Sequence, residues 1–266
     1  MSQTSPTSAV DTRRVSAGRG LSWWSEAFSW MFGDLSRLAV WVAMGLFAGV
    51  CTSLLHLVPI IGSIAGMLLW FVLTGGMMVA GQKTAQGQVA RFEDLFSAFG
   101  PKAGALVGVG LLLLVAGAIV WGLMLVVGVG ALFTGLFVGL TQPGSGGDPL
   151  AAFMGLGGTT FLVLLLLLFL FVPISMAAWL APALVVLRDA RPVDALRMSL
   201  SACWHNAGAL TVYGIAFVFL ALAATLVFLI GWLFLLPLIS LSTYAAYRDL
   251  FETDIQVLDA DPAAHA

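Results

Sequence analysis

The sequence predicts an all-α protein: a polytopic bundle of transmembrane helices. Three observations predict it. Of 266 residues, 61% are hydrophobic and only 9% charged, with a mean hydropathy of +1.05, whereas soluble domains carry about 25% charged residues. Four long stretches hold no Asp, Glu, Lys or Arg, lying between Arg37 and Lys83, Lys102 and Asp148, Asp148 and Arg188, and Arg197 and Arg248. And the few cations are gathered into four short segments separated by these stretches.

A helix needs about 20 apolar residues to cross the hydrocarbon. The first stretch holds two crossings, broken at "VPIIG" (58–62), where Pro59 and Gly62 suit a tight turn. The last also holds two, broken near Gly231. The middle pair flanks the loop "TQPGSGGDP" (141–149). The expected spans are 38–57, 60–80, 105–130, 157–187, 208–230 and 232–247. Splitting each middle stretch gives an eight-span alternative. In the six-span arrangement, the excess in 131–156 is an outer segment, re-entrant in form, with Gly128, Gly130, Gly135 and Gly139 loosening the helix.

All eleven Lys and Arg lie in the N-terminal segment, the 81–104 loop, the 188–205 loop and at Arg248. With six spans these fall on one side, which the positive-inside rule makes cytoplasmic. The expected organisation is a disordered cytoplasmic tail over 1–20, a six-span domain over 21–250, and an acidic disordered tail over 251–266, in a bacterial inner membrane with both termini inside. Residues 1–20 lack the apolar core of a signal peptide.

Three short amphipathic segments each precede an odd-numbered span. In 92–99, Phe92, Leu95, Phe96 and Phe99 fall on one helical face, with Glu93, Asp94 and Ser97 on the other. In 193–204 the apolar set is Val193, Leu196, Leu200, Cys203 and Trp204, with Pro192 placed for the first turn. "LSWWSEAFSWMF" (21–32) sets Leu21, Trp24, Phe28 and Met31 opposite Ser22, Ser25, Glu26 and Ser29. Such faces suit the membrane interface, so Trp24, Phe28, Phe92, Phe96, Phe99 and Trp204 are the expected interfacial anchors.

The segments also suggest a threefold hairpin repeat. The last two copies share Arg91/Arg191, Asp94/Asp194 and "AGAL" at 103–106 and 207–210. Pro59-Ile60, Pro173-Ile174 and Pro237-Leu238 recur, and "RD" closes the last two units. These features, from "VPIIGSIAGMLLWFVLTGGMMVAGQKTAQGQVARFEDLFSAF" to the closing "YAAYRDLFE", resemble a family of uncharacterised bacterial inner-membrane proteins. That family is distantly similar to the membrane-anchoring domain of glycerophosphodiester phosphodiesterases. The resemblance covers roughly residues 20–252 and implies a six-span bundle; it implies no particular activity, since the family has no established reaction.

The sequence offers little site chemistry. No Asp, Glu, Lys or Arg falls inside an expected span, which argues against a carboxylate proton relay or a voltage sensor. Cys51 and Cys203 lie in different environments and are expected unpaired. His56 and Cys51 together fall short of a metal site. "GSGGD" (144–148) lacks the Lys-Ser/Thr of a phosphate loop. GxxxG pairs at Gly45/Gly49, Gly62/Gly66, Gly104/Gly108 and Gly135/Gly139 allow close helix packing. One polar stripe stands out on span 6: Ser240, Thr243, Tyr244 and Tyr247, which either contacts a ligand or packs.

No catalytic residue, metal or cofactor is expected. The expected partners are membrane lipids and either a protein partner or a second copy; no basic patch points to nucleic acid. The expected role is a non-catalytic membrane protein that organises lipids or partners. The alternatives are a transporter or channel for an uncharged or amphipathic solute and, with less in its favour, a lipid-processing enzyme.

Overall fold

The computed structural model describes residues 12–141, 149–227 and 229–252. Among these the chain is all helical, with nine α-helices, one 3₁₀ helix and no strand. They are α1 (Arg19–Phe32), α2 (Leu35–Leu55), α3 (Ile61–Ala85), the 3₁₀ segment Phe92–Phe99, α4 (Ala103–Thr141), α5 (Pro149–Trp179), α6 (Ala181–Arg188), α7 (Pro192–His205), α8 (Ala207–Leu226) and α9 (Leu229–Phe251). Among the described residues six stretches are long and apolar enough to span a membrane: Leu35–Leu55, Ile61–Ala85, Ala103–Gly130, Leu165–Arg188, Ala207–Leu226 and Ile230–Phe251.

The threefold plan is visible in the element order. Each unit is a short helix followed by an antiparallel hairpin: α1 with α2/α3, the 3₁₀ segment with α4/α5–α6, and α7 with α8/α9. The two "AGAL" sequences begin α4 and α8. The short helices all lie at one end of the bundle, here called the short-helix end. They do not pack chiefly on their own hairpins. The 3₁₀ segment packs mainly on α3, α7 on α5, and α1 on α9. Each unit thus lays its short helix on the second helix of the preceding unit, and the exchange closes a cycle.

Local sequence explains the joints. Between α2 and α3 the chain turns through Ile60 at φ 62°, an unfavourable conformation for a β-branched residue. A Cβ at Gly62 would run into the Leu55 carbonyl, so only glycine permits this turn. Pro59 lies in that turn, whereas Pro173 and Pro237 lie inside α5 and α9. The proline repeat therefore relates the last two units only. The final hairpin turns between the end of α8 at Leu226 and the start of α9 at Leu229, and Gly231 lies just past it, where a Cβ would meet the Ala224 backbone. Asp189 ends α6 in the left-handed region at φ 56°. At the α5–α6 break, Ser199 of α7 donates to the Met176 carbonyl (2.6 Å) and accepts from the Leu180 amide (3.1 Å), satisfying backbone groups that the bend releases.

Several expectations change. Helix α4 runs unbroken through Gly128, Gly130, Gly135 and Gly139. At 39 residues it is about 58 Å long at 1.5 Å per residue. The described part of 131–156 is helix, not a re-entrant break; the loop residues 142–148, with "GSGGD" and Asp148, lie outside the described residues. The N-terminal tail takes a fixed course from Arg13. Its amide donates to the Leu250 carbonyl (3.1 Å), and the Val15 amide to Asn206 Oδ1 (2.8 Å). Residues 1–11 and 253–266 lie outside the described residues.

Candidate functional site

The six-span core contains a cavity of about 1000 Å³ between α3, α4, α5 and α9. Its walls are Ile64, Met67, Trp70 and Phe71 of α3, Leu113, Leu114 and Trp121 of α4, Leu167, Phe171 and Ile174 of α5, and Leu236 and Ile239 of α9, with Thr74, Ser175, Ser240 and Thr243 as the hydroxyls. Among the described residues, no Asp, Glu, Lys, Arg or His lines it. From Ile64 to Met78 it follows about 21 Å of α3, some two-thirds of a 30 Å hydrocarbon core.

The polar stripe of α9 divides here. Ser240 and Thr243 line the cavity. Ser240 Oγ lies 3.1 Å from Met77 Sδ, and Thr243 Oγ1 accepts from Trp179 Nε1 at 3.0 Å. Tyr244 and Tyr247 are packed instead. A Cβ at Gly81 would come within 3.1 Å of Tyr244, whose ring also lies 6.1 Å from Trp30. Tyr247 stacks on Phe251 at 5.7 Å.

Below Thr243 an aromatic cluster seals the short-helix end. Trp179 lies 4.9 Å from Tyr213, Trp24 stacks on Tyr213 at 4.7 Å, and Trp23 sits about 6 Å from both Trp179 and Tyr213. The indole donors are all satisfied: Trp24 Nε1 on the Tyr213 carbonyl (3.2 Å), Trp23 Nε1 on Asp249 Oδ2 (3.0 Å) and Trp179 on Thr243. Tyr213 Oη pairs with Ser242 Oγ at 2.9 Å. Charges clasp the plug in place. Arg19 bonds Asp249 (2.7 Å) and Glu26 (3.2 Å), and Glu26 bonds Arg248 (2.6 Å). Asp249 beside it holds the Arg19 guanidinium above its ordinary pKa.

The expected interfacial anchors part company at this plug. Trp24 is only 2% exposed, because α8 and α9 cover the apolar face of α1. It is a packing residue rather than an outward anchor. Phe28, Phe92, Phe96 and Phe99 are partly exposed and Trp204 is 68% exposed. Phe92 and Phe96 each meet Phe47 of α2 edge-on at 5.5 Å. Asp94, expected on the outward polar face, is buried. It pairs with Lys83 (2.6 Å) and caps the Arg91 amide (2.9 Å), tying the 3₁₀ segment to α3. On α7 the packed face is Ala195, Ser199, Ala202 and Cys203 rather than the larger residues, since small side chains let α5 come close.

Two residues that hydropathy patterns pass over prove structural. Ser199 supports the α5–α6 break, and Asn206 joins the N-terminal segment to the α7–α8 junction through the Arg13 and Ala202 carbonyls, both at 3.0 Å. Their signal is a lone polar residue among small ones beside a helix end.

Reactive groups are sparse. Among the described residues no three of His, Cys, Asp and Glu gather as a metal site. His56 Nδ1 sits 2.6 Å from the Thr52 carbonyl on its own helix. Cys51 and Cys203 are unpaired, and burial pushes the Cys203 thiol up to about 12, far from a reactive thiolate.

No protein-family model matches the chain. No solved structure matches it. It is 28% identical over 225 residues to a probable inner membrane protein of Burkholderia thailandensis, covering 79% of this chain and 76% of that one. That similarity and the six apolar helices make the chain a multi-pass integral protein of the inner membrane.

Proposed function

We propose that the protein is a non-catalytic membrane protein that holds a lipid, or a comparably amphipathic molecule, by its acyl portion in the cavity between α3, α4, α5 and α9. One observation carries this reading: a cavity of about 1000 Å³, set among spans, with apolar walls, four hydroxyls and no ionisable side chain among the described residues. Binding sites of that size are mostly apolar with a few placed polar groups. A charged ligand in such a site would be left uncompensated.

Hydroxyls without a base beside them along the cavity, and the buried thiol of Cys203, support a role without catalysis. The cations at the short-helix end support a cytoplasmic position for that end and both termini, by the positive-inside rule. The exposed Phe92, Phe96, Phe99 and Trp204 would then meet lipid headgroups or a protein partner at the cytoplasmic face. Passage of an uncharged or amphipathic solute is a second reading. It is favoured by Pro173, Pro237 and the α5–α6 break beside the cavity, since interrupted helices often build transport sites.

Extraction in native lipid discs followed by mass spectrometry tests the proposal. A lipid or amphiphile at one per chain is expected, and Gly117→Trp should displace it. A Cβ at Gly117 meets nothing within 4 Å, so the indole has the cavity to fill. Bulk lipid alone, the same for both proteins, would overturn the reading.

A further inference from the structure

The repeat predicts three equivalent seams, each joining the second helix of one hairpin to the first helix of the next. Two are formed. At α3/α4 the helices approach so closely that a Cβ on Gly110 would lie 2.6 Å from Leu68 Cδ2. At α9/α2 a Cβ on Gly45 would lie 2.9 Å from Pro237 Cδ. Among the described residues the third, α5/α8, has no seam of that extent. Those helices touch where Trp179 meets Tyr213, at the short-helix end.

Away from that end, apolar side chains on both helices stand outward, among them Leu168 on α5 and Phe219 and Leu222 on α8. Among the described residues α8 contributes none to the cavity's lining, and the lining residues Leu167 and Phe171 of α5 are themselves exposed. The route from the water at the short-helix end is blocked by Trp23, Trp24, Trp179 and Tyr213.

We infer that the unformed α5/α8 seam is a lateral portal, through which the acyl chain of a membrane lipid enters the cavity from the leaflet opposite the short helices. This rests on the lipid-holding reading above. A bilayer surrounds the spans and brings acyl chains, not water, to an apolar gap at this depth. The occupant is therefore a chain already present in the leaflet. The hydroxyls of Thr74 and Ser175 donate to carbonyls of their own helices, Ser240 to Met77 Sδ, and Thr243 accepts from Trp179, so the cavity is uncharged among the described residues and a chain enters without leaving a charge unpaired.

The test bridges the seam. Leu168→Cys and Leu222→Cys are introduced with Cys51→Ser and Cys203→Ala, reconstituted in lipid discs, and joined by bis-maleimides of graded length. Exchange of the bound lipid for a deuterated phosphatidylethanolamine is then followed by mass spectrometry. A bridge across α5/α8 should slow exchange at least tenfold, while single cysteines and a bridge across α3/α4 that avoids the cavity wall (Leu68→Cys with Leu111→Cys) leave it unchanged.

A benzophenone amino acid at Thr74, on the wall formed by α3, reads the same route separately. Deuterated lipid should reach it in the open protein and not in the bridged one. Bound lipid that exchanges equally fast with and without the bridge overturns the portal and leaves the lipid-holding reading standing. A protein with no bound lipid before bridging overturns both.

Discussion

The second helices of the three hairpins hold the same place in the repeat but not the same burial. In the spans of α3 and α9, 50% and 61% of the most apolar window is buried within the protein; in that of α5–α6 the share is 17%. Glycines tell the same story. On α3 a Cβ at Gly75, Gly76 or Gly81 would press on a neighbour within 3.1 Å, whereas on α4 Gly104, Gly117, Gly122 and Gly128 face open space. The first and third hairpins form a tight half. The second is tied to it along α3 and through α7, and stands away from α8. The cavity lies between this looser hairpin and the helices α3 and α9 of the tight half, so the departure from symmetry, rather than the symmetry, is where function is to be sought.

Substitutions can break that comparison, and the largest effect is expected on the tight side. Gly76→Leu drives a side chain into the Leu95 backbone of the 3₁₀ segment; it should cost about 3 kcal/mol in unfolding in detergent, as overpacking against a fixed backbone does. Gly122→Ala on α4 should cost nothing and add up to about 1 kcal/mol through helix propensity. Equal losses at both sites would contradict the division into a tight and a loose half.

A middle effect is expected at the clasp. Asp249 accepts from both Arg19 and Trp23, so Asp249→Asn should weaken the docking of α1 by about 1–2 kcal/mol, given that the Arg19 side chain is partly solvated. Limited proteolysis should then cut within α1 sooner, while the 3₁₀ segment on the far side of the cycle keeps its protection. Phe96→Ser should cost about 1 kcal/mol through its edge contact with Phe47. With Phe92→Ser and Phe99→Ser it should weaken any complex made through this face, as read by co-purification.

The smallest effect is a pH dependence at the end of α9. Burial raises the Glu252 carboxyl above its ordinary value, against the opposing pull of Arg248 and Arg188. A raised carboxyl disfavours the charged form in the folded state. Its contribution is therefore fully present below the ordinary carboxylate pKa and is lost as pH rises through the raised one. Glu252→Gln should flatten this small decline in Tm as pH rises above the ordinary carboxylate value of about 4.

Much of the fold was legible in the sequence because lipid imposes a simple rule. Apolar length fixed the six spans, Gly62 and Pro59 located the first turn, and "AGAL" marked the starts of α4 and α8. What covers an amphipathic face was not legible. Trp24 and Phe96 satisfy the same periodicity, yet the first is sealed against Tyr213 and the second remains partly exposed, because periodicity does not distinguish a protein neighbour from a headgroup layer. Asp94 escaped for a related reason: its partner Lys83 lies eleven residues away, on a helix whose packing depends on the exchange of short helices between units. The stripe on α9 was visible as a stripe, but its division into the cavity residues Ser240 and Thr243 and the packed Tyr244 and Tyr247 depends on where α5 stands.

The most direct measurement is the set of spin-label distances across the three seams in lipid discs, away from the short-helix end: Val50 with Phe234, Ile64 with Val115, and Leu168 with Leu222, each pair replaced by labelled cysteines. The account predicts two short, narrow distributions for α2/α9 and α3/α4 and a longer, broader one for α5/α8. Three matching short distances would mean a closed ring with no portal between α5 and α8.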